Sequence, residues 1–271
     1  MVKEIQVRAE GICTTVVLSD EPEALLAAKA AGRAIVGVEE MPTGGDWEMS
    51  VRGLAWVPYI APGWEYATEE LAELAARRFL GLPWIIGETE RLMIRELRAE
   101  DCDLILPEEE LSAAEELFRD EEKLKAYIQT QYSFFEYGIW AVLRREDGRL
   151  VGLAGVDRPR LPEELEQSLD AGSGGLPFLE LGYRIFAPYR RRGYAAEACR
   201  EILEYTREVL GCRACALIAE ENKASRCVAE SLGMELVPGH GKIRGTDSGS
   251  SGQLLLYVQN CPEQPDRRAP W

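Results

Sequence analysis

The hydrophobic positions of the N-terminal third fall into short runs with two different periods. "TTVVLS" (14–19) and "RAIVGV" (33–38) are apolar runs of strand length. Between them, "EPEALLAAKAAG" (21–32) carries apolar residues at helical spacing and stops on a glycine. Strand, helix and strand with short joints predict a parallel βαβ unit. "MSVRGLAWVPYI" (49–60) predicts one more extended piece after the turn "TGGDWE". "ATEELAELAARRFLG" (67–81) predicts an amphipathic helix that Gly81 closes, with Pro83 just beyond. Together these segments predict a small βαβ-type α/β domain over residues 1–86.

The pattern then begins again. "RLMIREL" (91–97) reads as a strand, and a helix start follows at "RAEDCDLI". Ser112 and Glu115 are spaced as a capping box for "AAEELFRD", and "EEKLKAYIQTQY" (121–132) continues helically. "YGIWAVLRREDGRLVGLAGV" (137–156) alternates on both sides of Asp147-Gly148, which predicts a hairpin. After the loop "DAGSGG" (170–175) come strand "FLELGYRIF" (178–186), helix "GYAAEACREILEYTREVL" (193–210) and strand "ACALIAE" (214–220). Helix "KASRCVAESLG" (223–233) and strand "LLLYV" (254–258) complete the order. The fold class is α/β (α+β): a mixed sheet with helices on its faces over residues 87–271.

Charge narrows the range of partners. A net charge of -16 and a pI near 4.7 argue against a general binder of nucleic acid or anionic membrane. "MVKEIQVRAE" lacks the apolar stretch of a signal peptide, and no apolar run approaches the roughly 18 residues of a membrane span. A cytoplasmic protein with reduced thiols is expected. Seven cysteines set no disulfide framework. Cys212 and Cys215 form a C-x-x-C, but no second pair accompanies them and His240 is the sole histidine. The motif enters a strand-like run where a redox pair would open a helix, so buried structural thiols and no metal are expected.

The candidate chemistry lies in "YRIFAPYRRRGYAAEACREIL" (183–203). An apolar strand runs to about Phe186, a turn carries Pro188 and three arginines, and Gly193 stands where a helix begins. The first helical turn presents N–H groups without intrahelical partners at the positive end of the dipole. An anion there gains hydrogen bonds and field together, glycine lets it approach the backbone, and arginine adds charged donors. The stretch therefore predicts a phosphate or pyrophosphate grip. It contains neither a P-loop nor a G-x-G-x-x-G.

What it does contain is R-x-x-G-x-A, at Arg190, Gly193 and Ala195. After the next strand come "ENKAS" (221–225), with an N-x-x-S at Asn222 and Ser225, and then "ESLGM". In these motifs and in element order the chain resembles the GNAT superfamily of N-acetyltransferases over roughly residues 89 to 260. "ELGYRI" and "GYAAEA" are most similar to its ribosomal-protein and small-amine branch. The resemblance implies a GNAT fold with a splayed mixed sheet, acetyl-CoA as donor and an amine as acceptor. Backbone N–H groups of Arg191, Arg192, Gly193, Tyr194 and Ala195 would hold the pyrophosphate, with Arg190 the first motif position. Ile185 and Ala187 would offer backbone groups to the pantetheine arm. Asn222 would cap the next helix and contact the arm, with Ser225 one turn in. Glu180 stands where several GNAT enzymes carry a catalytic glutamate, and strand alternation puts it on one face with Gly182 and Arg184. An amine with a pKa near 10 is mostly protonated at neutral pH, so a base is needed. The family often draws its oxyanion donor from a backbone N–H on this strand, for which Ala187 or its neighbour is the candidate. Two positions depart from the family. The frequent V-x-P-x-Y appears as "IFAPY", with the proline displaced by one. Ala229 stands where many members carry a tyrosine that protonates the departing thiolate, with Tyr183 and Tyr194 as open alternatives.

The first domain is similar to the late core of haloacid-dehalogenase-like phosphatases, which would make Asp20 a metal-side acid. No D-x-D precedes it, so a degenerate scaffold is expected, able to orient a partner, wall the acceptor cleft or form a homodimer. Two functions remain: an N-acetyltransferase acting on a primary amine, or a catalytically weak acetyl-CoA-binding sensor.

Overall fold

The computed structural model describes residues 1–39, 53–106, 116–159, 161, 176–237, 243–244 and 253–259. By contacts between Cα atoms the chain divides into two units, Met1–Trp84 and Ile85–Asp266. The capping box at Ser112 and Glu115, the loop 170–175 and His240 lie outside the described residues.

In the first unit, β1 (Val2–Ala9) pairs antiparallel with β2 (Ile12–Ser19). Helix α1 (Pro22–Ala30) then crosses to β3 (Ala34–Val38), which lies parallel to β2. This is the predicted βαβ unit. Strand β1 was not anticipated: its charged first residues hide the alternation of Ile5, Val7 and Ala9 toward the interior. Of the extended piece expected over 49–60, residues 49–52 lie outside the described residues, and the rest gives only the start of β4 (Ile60–Ala61), parallel to β3. Val57 donates its N–H to the Leu54 carbonyl, so these residues turn back and place Leu54 and Val57 in the core. Helix α2 (Glu69–Leu80) starts on the Thr68 cap and ends at Gly81, φ 67°. Alternation along β2 and β3 feeds two apolar layers. Val16, Leu18, Val36 and Val38 pack with Leu71, Ala72, Ala75 and Ala76 of α2, while Val17 and Ile35 pack with Leu25 and Ala28 of α1.

The second unit is built on a nine-stranded sheet. It opens with β5 (Ile85–Glu88) and β6 (Leu92–Arg95), a hairpin in which Ile85 pairs with Arg95. That pairing explains why the contact division falls after Trp84 and not after Ile86. The stretch 98–105, expected to start an α-helix, forms a 3-10 turn over Ala99–Leu104. Helix α3 (Glu121–Tyr127) widens into a π-turn over Ile128–Tyr132. The expected hairpin follows as β7 (Ile139–Arg144) and β8 (Leu150–Asp157), with Gly148 at φ 68°. Then come β9 (Phe178–Ile185), α4 (Tyr194–Glu208), β10 (Arg213–Ala219), α5 (Lys223–Ser231), β11 (Met234–Leu236), β12 (Ile243–Arg244) and β13 (Gln253–Gln259). The strand order is β11-β13-β10-β9-β8-β7-β6-β5, with β12 beside β13. Among the described residues of this sheet, β9 and β10 form the one parallel pair. A parallel pair needs a crossover, and α4 supplies it. Buried Tyr194, Ala198, Cys199, Ile202, Leu203 and Thr206 form the stripe that α4 lays on the sheet, and Tyr205 meets Trp140 of β7 edge to face at 5.6 Å. No helix among the described residues is long and apolar enough to cross a membrane.

Glycines set how closely the strands fit. A Cβ on Gly155 would lie 2.0 Å from the Gly138 carbonyl oxygen, whereas one on its cross-strand partner Gly182 would meet nothing within 4 Å. Gly155→Ala is therefore expected to destabilise the protein by about 1–3 kcal/mol in urea unfolding. Gly182→Ala is expected to change stability by no more than about 0.5 kcal/mol.

Candidate functional site

The site begins where β9 and β10 stop pairing. Arg213, Ala214 and Cys215 pair with Phe178, Leu179 and Glu180, and the ladder ends there although both strands continue. Between the separated halves lies a cavity of about 220 Å³. Leu181, Gly182 and Tyr183 line it from β9, Ala216 to Ala219 from β10, and Ser225, Val228 and Ala229 from α5. Glu180 sits at the fork itself, half-buried, opposite Cys215 on one side and Asp157 on the other. Burial, with the Glu180 charge adding to it, pushes the Cys215 thiol up to about 12. Cys215 is therefore a neutral buried group, whereas Cys212, the other thiol of the C-x-x-C, was expected to be buried and is only half-buried.

The ladder geometry fixes which backbone groups face the gap. The Phe186 N–H donates to the Val151 carbonyl of β8, and the Pro177 carbonyl accepts from the Arg213 N–H on the β10 side. With two-residue alternation and no bulge between, Leu181, Tyr183 and Ile185 turn their backbone groups toward the gap. Ile185 therefore presents its peptide where a pantetheine arm would run. Ala187 does not lie on the strand. It starts a 3-10 turn, and its carbonyl accepts the Arg190 N–H at 3.3 Å. Seven residues separate it from Glu180, up to about 23 Å of extended chain. An oxyanion donor acting beside Glu180 must come from nearer the fork, where the amides of Leu181 and Tyr183 are.

At the other end of the gap, Gly193 is the N-cap of α4, at φ 80°, with no side-chain cap. The first intrahelical bond runs from the Glu197 N–H to the Gly193 carbonyl, so the amides of Tyr194, Ala195 and Ala196 precede it at the helix end. A Cβ on Gly193 would approach only an Arg91 guanidinium nitrogen, at 3.4 Å. Arg191, also left-handed at φ 61°, accepts a conformation costing about 1–2 kcal/mol to turn the chain into this end. Arg191 and Arg192 are exposed, while the Arg190 Nε donates back to the Ile185 carbonyl at 2.8 Å and braces the turn. A pyrophosphate fits this end of the structure: uncapped amides, an open approach over glycine, and arginines around it. Asn222 caps α5 by accepting the Ser225 N–H at 3.0 Å, and both residues line the cavity.

Two arginines outside the motif support the loop. The Arg91 Nε donates to Glu197 at 2.7 Å and its Nη1 to the Arg192 carbonyl at 3.0 Å, with the guanidinium over the Tyr194 ring at 5.0 Å. Burial raises the Glu197 pKa, but bonds from Thr89 and Arg91 outweigh it and hold the carboxyl below its ordinary value. Arg144 lies over the Tyr189 ring at 5.7 Å. No local pattern announces either residue, because each reaches the loop from a distant strand region.

A parallel pair thus parts around a cavity and hands over to a helix that opens on glycine. The chain belongs to the GNAT acetyltransferase family: the family model of the acetyltransferase (GNAT) domain matches residues 91–235, more than half of its 271 residues. Solved structures align at low identity. A protein described as a GnaT-family acetyltransferase from Bordetella pertussis is 22% identical, with 65% of this chain and 99% of that chain covered at a TM-score of 0.49. One described as a ribosomal-protein-serine acetyltransferase from Vibrio cholerae is 18% identical, with 65% and 96% covered at 0.45. Spermidine/spermine N-acetyltransferase SpeG from Vibrio cholerae is 18% identical, with 62% and 91% covered at 0.46. The assignment rests on the matched domain.

Gly193→Asp is expected to abolish the rise in melting temperature that millimolar acetyl-CoA produces, by placing a carboxylate against the pyrophosphate. Gly193→Asn, which tolerates the same backbone conformation without the charge, should retain part of that rise.

Proposed function

We propose that the chain is an acetyl-CoA-dependent N-acetyltransferase that moves an acetyl group to a primary amine, of a small molecule or a peptide N-terminus, by direct attack. The observation that carries this reading is the early end of the β9–β10 ladder, which opens a cavity beside Glu180 on the strand that leads to the Gly193 helix end. Acetyl-CoA supplies an activated thioester carbonyl. The amides of Arg191 to Ala195 hold its pyrophosphate, Ile185 pairs with the pantetheine arm, and Asn222 and Ser225 border the arm from α5. Glu180 takes the proton of the attacking amine at the fork. The Met1–Trp84 unit is read as a scaffold without chemistry of its own. In it the Asp20 carboxylate is engaged by the amino group of Met1.

Release of CoA thiol, followed across polyamines, aminoglycosides and peptides with free N-termini, tests the proposal. Glu180→Gln should lower kcat by about 10²–10⁴-fold on the best acceptor, with acetyl-CoA affinity changed less than about twofold. Equal loss of turnover and binding would make Glu180 structural. Binding without thiol release from any amine class would make the protein a sensor.

A further inference from the structure

The cavity contains a second titratable group that the roles above leave unused. Tyr183 lines it from β9, facing α5, where Ala229 occupies the position at which the family resemblance expects a tyrosine. Successive strand residues point to opposite faces, so Tyr183 and Glu180 flank the gap from opposite sides of the sheet. Tyr183 lies on the helix-covered side: its phenol lies near Ser225 of α5, which lines the same cavity, and near Cys199 of α4. Among the described residues Glu180 is the one charged side chain that lines the cavity. Tyr194, the other candidate, sits under Arg91 at the helix end, where the pyrophosphate would lie.

Building on the acetyltransferase reading, we propose that Tyr183 gives the departing CoA sulfur its proton, the role the family's tyrosine on α5 would fill. Ala229 offers no proton, and Tyr183 lines the same cavity from the strand. As the neutral amine nitrogen bonds to the carbonyl carbon, Glu180 accepts the proton that nitrogen sheds. The C–S bond breaks, its electron pair goes to sulfur, and sulfur takes the Tyr183 hydroxyl proton. Solvent returns a proton to the phenolate by way of Ser225, and Glu180 gives its proton up to solvent. Burial raises the Tyr183 pKa, which keeps the phenol protonated at neutral pH and ready to donate.

Calorimetric binding of CoA and of desulfo-CoA, which lacks the sulfur, to the wild type and to Tyr183→Phe tests this without any acceptor. A phenol donating to a thiolate favours the bound thiolate, whose thiol has a pKa near 8.5 in water. At about pH 9 the wild type should bind CoA roughly tenfold more tightly than Tyr183→Phe, as expected for a hydrogen bond to a charged group. The two proteins should bind desulfo-CoA equally. Equal weakening for both ligands, or no change for either, would overturn the proposal. A wild type that binds neither ligand would overturn the acetyl-CoA reading beneath it.

Discussion

The second unit depends on a ladder that ends early. Three residue pairs join β9 to β10, after which each strand continues beside a different neighbour. β9 follows β8 from Glu180 to Ile185, and β10 follows β13 from Cys215 to Ala219, so two antiparallel ladders pull the parallel pair apart. Unpaired strand edges inside a protein are costly unless something occupies them. A ligand with its own amide groups can complete these edges as a third strand would. The cavity is thus a consequence of which ladders win, and the helix end beyond it is fixed because α4 must cross from the end of β9 to the start of β10.

That dependence explains why the two ends of the site have different characters. At Gly193 the grip is made of backbone: a left-handed glycine, uncapped amides and arginines that hold the turn. At the fork it is made of side chains placed by alternation, with Glu180 on one face and Tyr183 on the other. On the proposed reading, changes at the first end act through binding and changes at the second through proton transfer.

Much of this was legible in the sequence, and the losses have physical reasons. R-x-x-G-x-A and N-x-x-S are short and local, so "PYRRRGYA" and "ENKAS" disclose the helix ends that they build. The Asp147-Gly148 hairpin, the βαβ unit and the capping by Asn222 are equally local. β1 and β5 were missed because each is a short strand whose partner supplies half the signal: polar residues mask the first, and a predicted domain end covers the second. Arg91 was illegible because its contact with Arg192 spans a hundred residues of chain. Ala187 was placed on the strand by its motif, yet the chain turns there, since the proline after it favours a 3-10 turn. Tyr183 was visible as a residue but had no place until the fork showed which face it occupies.

Hydrogen exchange with and without acetyl-CoA reads the helix end and the strand edges at once. New protection is expected in two places, the amides of Tyr194 to Ala196 at the start of α4 and those of Tyr183 and Ile185 along the gap. Protection elsewhere with none at these amides would contradict that expectation.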